Sequence, residues 1–509
     1  MQIQTGAPSR TRGFVTLFLI EMWERFGYYG MTAIVVAFMA QQLGYGEDNA
    51  DLTFGAFTGI AYAIPAIGGW IGDRVLGSKR TAILGAVILV IGYGMLAIPS
   101  PGLLFVALAV CAIGGGLFKA NPANLISKLY EGESEKLDSA FTMYYMAVNL
   151  GAALSQIAAP LISDKADWWV PKAAALFGAT VTPATAAVIG WHAAFAICAL
   201  GMLAGVCNYF IARRHLAKVG SEPDFKPLDV KKFAMVLGGA ILSIAVVAAI
   251  IGNKAYARDL AITAFVAIIA IFGVMIRKGS AGERKGLIAV AILTAQTMLF
   301  FIFYQQMSTS LTFYAIRNVD LNLYGFAVPG TMVQWFNPFW IFVLSPVLAL
   351  SYNRLSRGRG DFHIATKFAA GFAILAAGFF IYGLSARFAV NGRIGLSWML
   401  WGYGLQSLGE LLISGLGLAM VARYVGPKLR GFIMGVWFLA TGISQYLGGF
   451  VANYASVPQG VTDPVQSLPL YTHLFNDLGI VALVGTLLAA IAVPYMKWLS
   501  ATGGEATSH

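Results

Sequence analysis

The sequence predicts an all-α membrane protein: two six-helix bundles plus two extra helices, fourteen transmembrane helices in all. Three observations point there. The first is composition, with 58% hydrophobic and only 11% charged residues, against roughly 25% charged in a soluble domain, and a mean hydropathy of +0.73. The second is recurrence: apolar segments lie near 14–40, 52–72, 81–99, 102–126, 140–163, 190–212, 233–252, 259–276, 286–315, 331–352, 364–386, 395–422, 430–455 and 472–499. Each approaches the roughly 20 residues that a helix needs to cross hydrocarbon, where helices and closed barrels alone satisfy their backbone polar groups. The third is charge placement. With a cytoplasmic N-terminus and alternating spans, 25 of the 34 lysines and arginines fall at intracellular ends and loops, seven fall outside, and Arg25 and Lys119 fall within helices. The positive-inside rule then puts both termini in the cytoplasm. The net charge of +11 is a property of these loops and calls for membrane lipids as partners, not for nucleic acid.

The first segment follows Arg10 and Arg12 as a signal peptide would, but it runs on from Phe14 to Ala40 and contains charges, so it reads as a retained span. Between the sixth and ninth segments a basic linker with Pro223 and Pro227 leads into a helix pair with almost no polar side chains, which reads as a peripheral insert. Its removal leaves six spans on each side, the arithmetic of a transporter built from two repeated halves. The expected division is 1–215 for the first bundle, 216–285 for the linker with two additional helices, and 286–509 for the second bundle.

Within the first span, Glu21, Glu24, Arg25 and Tyr28 recur at i, i+3, i+4 and i+7, on one stripe of a helix. A charge at mid-membrane costs about 2.5 to 3.5 kcal/mol on insertion scales, so this stripe must face a polar interior. Lys119 is a lone ammonium in a span where Gly114, Gly115, Gly116 and Pro122 permit close packing and a bend. It either bridges Glu21 or Glu24 as a structural pair or exchanges partners during function. A permanently paired buried base is poorly matched to stability, because apolar residues of similar volume pack as well or better. In the second half, Gln406, Glu410 and Ser414 recur at i, i+4 and i+8 and place an acid on a polar stripe.

Cys111, Cys198 and Cys207 lie in apolar runs without metal spacing and read as packing residues. The chain has no GxxxxGK[ST] phosphate loop, no HExxH and no GxSxG, so no nucleotide, metal or cofactor is expected and an enzyme is disfavoured. Secondary transport remains. A passive channel is the simpler rival, and accumulation against a gradient separates the two.

An internal echo joins the halves: GGWIGDRVLGSKR (68–80) and SPVLALSYNRLSRGRG (345–360) occupy matching loops, with Asp73-Arg74 opposite Asn353-Arg354. The first string resembles the loop signature of the major facilitator superfamily, which implies a gating role for Asp73 and Arg74; a tight positive loop is the plainer reading. EMWERFGYYG (21–30) resembles the ExxERFxYYG motif of the proton-dependent oligopeptide transporter family. GGGLFKANP (114–122), YYMAVNLG (144–151), FNPFW (336–340) and LGELLISGLGLAM (408–420) resemble its fourth-, fifth-, eighth- and tenth-helix motifs. Within the family, FYQQMSTSLTFYAIRNVD (303–320) and the paired extra helices are similar to the bacterial dipeptide and tripeptide permeases. Thr32 and Gln305 stand where many relatives carry arginine and glutamate.

The resemblance implies a proton-coupled symporter that imports di- and tripeptides by alternating access in a bacterial inner membrane, functional as a monomer. Opposed charge on opposed halves selects a zwitterion: Glu410 for the peptide amine, Lys119 and Arg25 for its carboxylate. The residues expected to couple protons are Glu21, Glu24, Arg25 and Lys119. A carboxylate that pairs with a base when ionised releases it when protonated. Tyr28, Tyr62, Tyr145, Asn149, Tyr304, Gln305, Trp335, Asn337, Ser414 and Trp437 complete the expected binding set. For the aromatics the alternative is packing against helices or lipid, and for the asparagines it is interhelical bonding. A major facilitator carrier for another small charged or zwitterionic solute is the nearest rival, since fold does not fix cargo.

Overall fold

A computed structural model describes residues 10–323, 325–355, 363–413, 421 and 424–503. Each of the fourteen apolar segments corresponds to a helical stretch, and part of the twelfth, at 414–420 and 422, lies outside the described residues. Among the described residues eleven stretches are long and apolar enough to cross a membrane. The first, twelfth and thirteenth spans fall short of that test because of polar residues in mid-helix: Glu21, Glu24 and Arg25, then Gln406 and Glu410, then Ser444 and Gln445.

The chain forms two compact units, Met1–Phe38 with Ile60–Asn253, and Met39–Gly59 with Lys254–His509. In the first unit α1 (Arg10–Ala37), which ends in a π-helical turn at Phe38–Gln42, leads through α2 (Glu47–Ala63) to α3 (Pro65–Arg74). There follow α4 (Ser78–Leu96), α5 (Leu104–Lys119), α6 (Asn121–Leu129), α7 (Ser134–Asp164), α8 (Ala166–Ala175), α9 (Pro183–Ala212) and α10 (Val230–Ile251). Helix α1 packs on α7 and α9, and α4 packs on α5 and α9. The apolar faces of these helices bury Phe14, Leu17, Phe118, Phe195 and Met202 almost completely. The α5–α6 break follows from Pro122, which lacks a backbone N–H and sits in the first turn of α6. Helix α8 was not anticipated, because its ten residues fall between two apolar segments.

The second unit holds the first half of α2, which passes from one unit to the other between Gly59 and Ile60. Its other helices are α11 (Lys254–Lys278), α12 (Ala281–Gln305), α13 (Ser310–Asn318), α14 (Phe336–Leu355), α15 (Ile364–Leu384), α16 (Leu396–Ile413), α17 (Pro427–Ala452) and α18 (Pro464–Gly503). Helix α15 packs on α16 and α18, and α12 on α17 and α18. A short parallel pair, Val319–Asp320 with Ile394–Gly395, ties the end of α13 to the start of α16.

The inserted pair is divided: α10 packs on α5 in the first unit, α11 on α12 and α17 in the second. Only 11% of the most apolar window of either helix is buried, against 67% for Pro101–Leu129, so both present most of their surface outward.

Candidate transport site

In the first unit the α1 stripe is buried, with Glu21 1%, Glu24 2% and Arg25 5% exposed. Arg25 Nε donates to Glu21 Oε1 at 2.8 Å and lies 2.9 Å from Glu24 Oε2. One Nε–H points along one direction, so Glu24 is held by charge and its Oε2, like Glu21 Oε2, has no hydrogen-bond partner. Gly151 of α7 makes room for this arrangement, since a Cβ there would sit 2.9 Å from Arg25 Cβ and 3.0 Å from the Phe26 amide nitrogen. Tyr144, two turns before Gly151 on the same face of α7, meets Glu21 through its hydroxyl. Tyr28 lies 6.0 Å from the Arg25 guanidinium carbon, measured to the ring centroid.

Lys119 is the last residue of α5, and its position follows from the glycines before it. A Cβ on Gly114 would meet the Leu89 nitrogen at 2.9 Å and the Gly85 oxygen at 3.0 Å, so α4 and α5 are in backbone contact. Asn121 then donates to the carbonyls of Gly68 and Leu117 at 3.2 and 2.7 Å, which joins α3 to the α5–α6 break. The Lys119 ammonium sits 3.8 Å from the centroid of the Tyr62 ring. Among the described residues no carboxylate lies within 4.0 Å of it. The paired base of this cluster is Arg25.

In the second unit Asn337, near the start of α14, donates to Glu410 Oε2 at 2.7 Å and to Ser407 Oγ at 3.1 Å. Gln406 instead accepts from the Tyr382 hydroxyl at 2.8 Å, a bond within the helix packing. Ser414 lies outside the described residues. Gln305 donates to Thr58 Oγ1 of α2 at 3.0 Å. Thr32 turns its hydroxyl back onto the Tyr29 carbonyl at 3.3 Å and is satisfied on its own helix.

The other expected residues have local partners. Trp335 stacks on Phe339 at 5.2 Å, Tyr304 packs between Phe300 and Phe301, and Trp437 is buried edge-on to Phe438 with its indole N–H unpaired. Asn149 donates to the Tyr145 carbonyl one turn earlier, at 2.9 Å. Tyr145 itself is 40% exposed. Cys111 and Cys198 are buried as packing residues, whereas Cys207 is exposed on α9.

Asp73 accepts from Asn124 Nδ2 at 2.5 Å and from Ser221 Oγ at 3.1 Å, with Lys128 Nζ 3.8 Å away. The linker is therefore part of this corner. Asp224 accepts from the backbone nitrogens of Lys79 and Arg80 at 3.2 and 3.4 Å and caps α4 from 144 residues away in sequence. Gly77, at φ 101°, turns the chain so that the carboxylate reaches these donors. Arg80 donates to the carbonyls of Pro223 and Lys226 at 3.0 and 2.6 Å. Nearby, exposed Glu222 has its carboxyl held below the usual range by its bond with Lys226. Arg74 lines a cavity of about 450 Å³ together with this linker. The sequence offered no signal for Asp224, because its partners are remote in the chain. Ser407 was detectable, since it precedes Glu410 by three residues and shares its helix face.

A multi-helix membrane carrier with buried ionisable groups in both units is the class that this fold and these residues define. The profile of the POT family matches residues 79–468. The chain is 41% identical over 504 residues to dipeptide and tripeptide permease B of Salmonella typhimurium, covering 98% of each. It is 40% identical over 499 residues to dipeptide and tripeptide permease A of Escherichia coli, covering 97% of this chain and 94% of that one. A solved bacterial homologue of the human drug peptide transporters PepT1 and PepT2 superposes with a TM-score of 0.85 at 48% identity, covering 96% of this chain and all of the other. A peptide transporter POT solved with alafosfalin superposes at 0.80 with 28% identity, covering 96% and 95%. The chain belongs to the POT family, and its fold is that of the major facilitator transporters.

Proposed function

We propose that this chain is a proton-coupled symporter that imports di- and tripeptides by alternating access. The observation that carries the reading is the division of labour among the buried charges of the first unit. Arg25 is engaged by both Glu21 and Glu24, while the Lys119 ammonium lies on the Tyr62 ring with no carboxylate of the described residues within 4.0 Å. An unpaired cation in a membrane-depth helix is a site for an anionic ligand, and the carboxylate of a peptide supplies one. Glu410, with one oxygen oriented by Asn337, takes the peptide amine. The relatives named as dipeptide and tripeptide permeases support the cargo.

Protonation of Glu21 or Glu24 neutralises one partner of Arg25 and frees the guanidinium to join Lys119 at the peptide carboxylate. Proton and peptide together permit closure of the outer gate. Proton loss to the cytoplasm restores the Arg25 pairs and expels the peptide. A membrane potential contributes about 2.3 kcal/mol per charge per 100 mV, enough to concentrate a peptide many-fold. Tyr28, Tyr62, Tyr145, Asn149, Tyr304, Gln305, Trp335, Ser414 and Trp437 line the peptide path, and Asp73 and Arg74 gate its cytoplasmic end. The working bundles are 1–215 and 286–509 with 216–285 as the inserted pair. The protein acts as a monomer in the bacterial cytoplasmic membrane, with both termini inside and no catalytic step.

Proteoliposomes with an inward proton gradient test the proposal. Labelled dialanine should accumulate, a protonophore should collapse the accumulation, and unlabelled di- and tripeptides should compete where a tetrapeptide does not. Absence of driven dialanine uptake would sink the assignment, and competition by non-peptide zwitterions alone would favour another solute.

A further inference from the structure

The first two turns of α2 carry Glu47, Asp48 and Asp51, all in the second unit. Two of the three acids have bases. Arg317 of α13 donates to Glu47 Oε1 at 2.6 Å, while the Val457 amide and the Tyr471 hydroxyl of α18 donate to Glu47 Oε2 at 3.0 and 2.7 Å. Lys254 of α11 pairs with Asp48 at 3.1 Å. Arg317 spends a second donor on the Val461 carbonyl at 2.8 Å.

Asp51 has none of this. It is 1% exposed, its Oδ1 lacks any hydrogen-bond partner, and among the described residues no base lies within 4.0 Å. What packs against it cannot help. On α17, Gly449 lies over the Asp51 turn, with its Cβ direction 3.1 Å from Gly55 Cα, and a Cβ on Gly55 would meet the Tyr446 and Gln445 carbonyls at 3.1 and 3.3 Å. Glu47 and Asp48 on its own helix are acids, the tyrosines at 446 and 471 offer no positive charge, and Arg317 and Lys254 are already paired. Among the described residues an ionised carboxylate there has no counter-charge within 4.0 Å and no donor for Oδ1, a setting that favours the neutral acid or a bound small cation.

We infer that Asp51 is a proton-binding site of the second unit, separate from the Glu21 and Glu24 cluster, whose proton holds the first half of α2 against α17. The inference rests on the proton-coupled reading above for its role in transport, although the binding of the proton does not need a peptide. A cavity of about 490 Å³, large enough to hold water, is lined by Gln41, Tyr45, Glu47, Arg317 and Gln459, with Glu47 one helical turn from Asp51. Proton loss would place a bare charge in a glycine-tight helix contact and loosen it, so the α2–α17 packing weakens as pH rises. The neutral isostere should therefore mimic the protonated state.

The test is a titration of purified full-length protein without peptide, comparing wild type with Asp51→Asn. The variant should bind one proton fewer, and the pH-difference infrared spectrum should lose one carboxylic-acid carbonyl band. Asp51→Glu should keep the proton and shift that band, which identifies the carboxyl even where Asp51→Asn folds poorly. In proteoliposomes Asp51→Asn should retain dialanine counterflow while the dependence of driven uptake on external pH flattens. Identical proton counts and spectra for wild type and Asp51→Asn overturn the inference. So does a stabilisation by sodium ions that depends on Asp51, since the occupant would then be the metal ion. The titration stands whether or not dialanine is carried, so failure of uptake by wild type is charged to the proposed function alone.

Discussion

Arg25 holds two carboxylates with one guanidinium, and that ratio sets what each acid can do. Removal of one partner from a buried ion pair costs about 3 to 5 kcal/mol where the remaining charge is left bare. Here the second glutamate limits the loss. Glu24→Gln should therefore leave a folded protein that exchanges peptide in counterflow but no longer accumulates it under a proton gradient; equal loss of both activities would make Glu24 a structural acid only. Lys119→Ala and Glu410→Ala remove the groups assigned to the two ends of the peptide, and each should abolish driven uptake of dialanine. Normal uptake by either variant would strike that residue from the site. The stripe Glu21, Glu24, Arg25 and Tyr28 was legible from spacing alone, because a helix places i, i+3, i+4 and i+7 together. That Arg25 and not Lys119 pairs with the acids was not legible, since helices α1 and α5 are far apart in the chain.

At the scale of elements, two contacts are set by glycine and by a remote cap. Gly151 lets α7 lie against α1 at the turn of Arg25. Gly151→Leu should lower thermal stability by about 1 to 3 kcal/mol through overpacking and reduce uptake with it, as read by thermal unfolding in detergent and by transport. Asp224 caps α4 through the nitrogens of Lys79 and Arg80. Replacing a capping side chain with alanine costs about 0.5 to 2 kcal/mol, so Asp224→Ala should lower the unfolding temperature, whereas Glu222→Ala, at an exposed pair, should leave it nearly unchanged. The helices themselves were readable from apolar length. The short helix α8 was missed because its apolar residues are too few to form a segment. The capping role of the linker left no periodic trace, since one aspartate in a loop is indistinguishable from any other until its donors are known.

For the whole molecule, both units carry buried ionisable groups, and the energy source assigned to them is the proton gradient. Accumulation should therefore fall as external pH rises toward the internal value, and a protonophore should reduce uptake to equilibration without stopping counterflow. Accumulation that persists without a proton gradient would require another driving ion. Composition, the fourteen apolar segments and the clustering of positive charge in alternate loops made the membrane fold legible, and the motif residues made the family legible. The grouping of Met39–Gly59 with the second unit was hidden, because apolar length marks a span and says nothing about which helices it packs on.

By itself the sequence determined the number and extent of the spans, the presence of costly charges inside them and the acid in α16, because hydrophobic periodicity and burial cost act along one helix at a time. Tertiary structure alone decided that Arg25 takes both glutamates while Lys119 rests on Tyr62, that Asn337 orients Glu410, and that Asp51 has no base within 4.0 Å among the described residues. Those outcomes depend on distances between helices separated by tens to hundreds of residues, and a charge finds its partner through space, not along the chain.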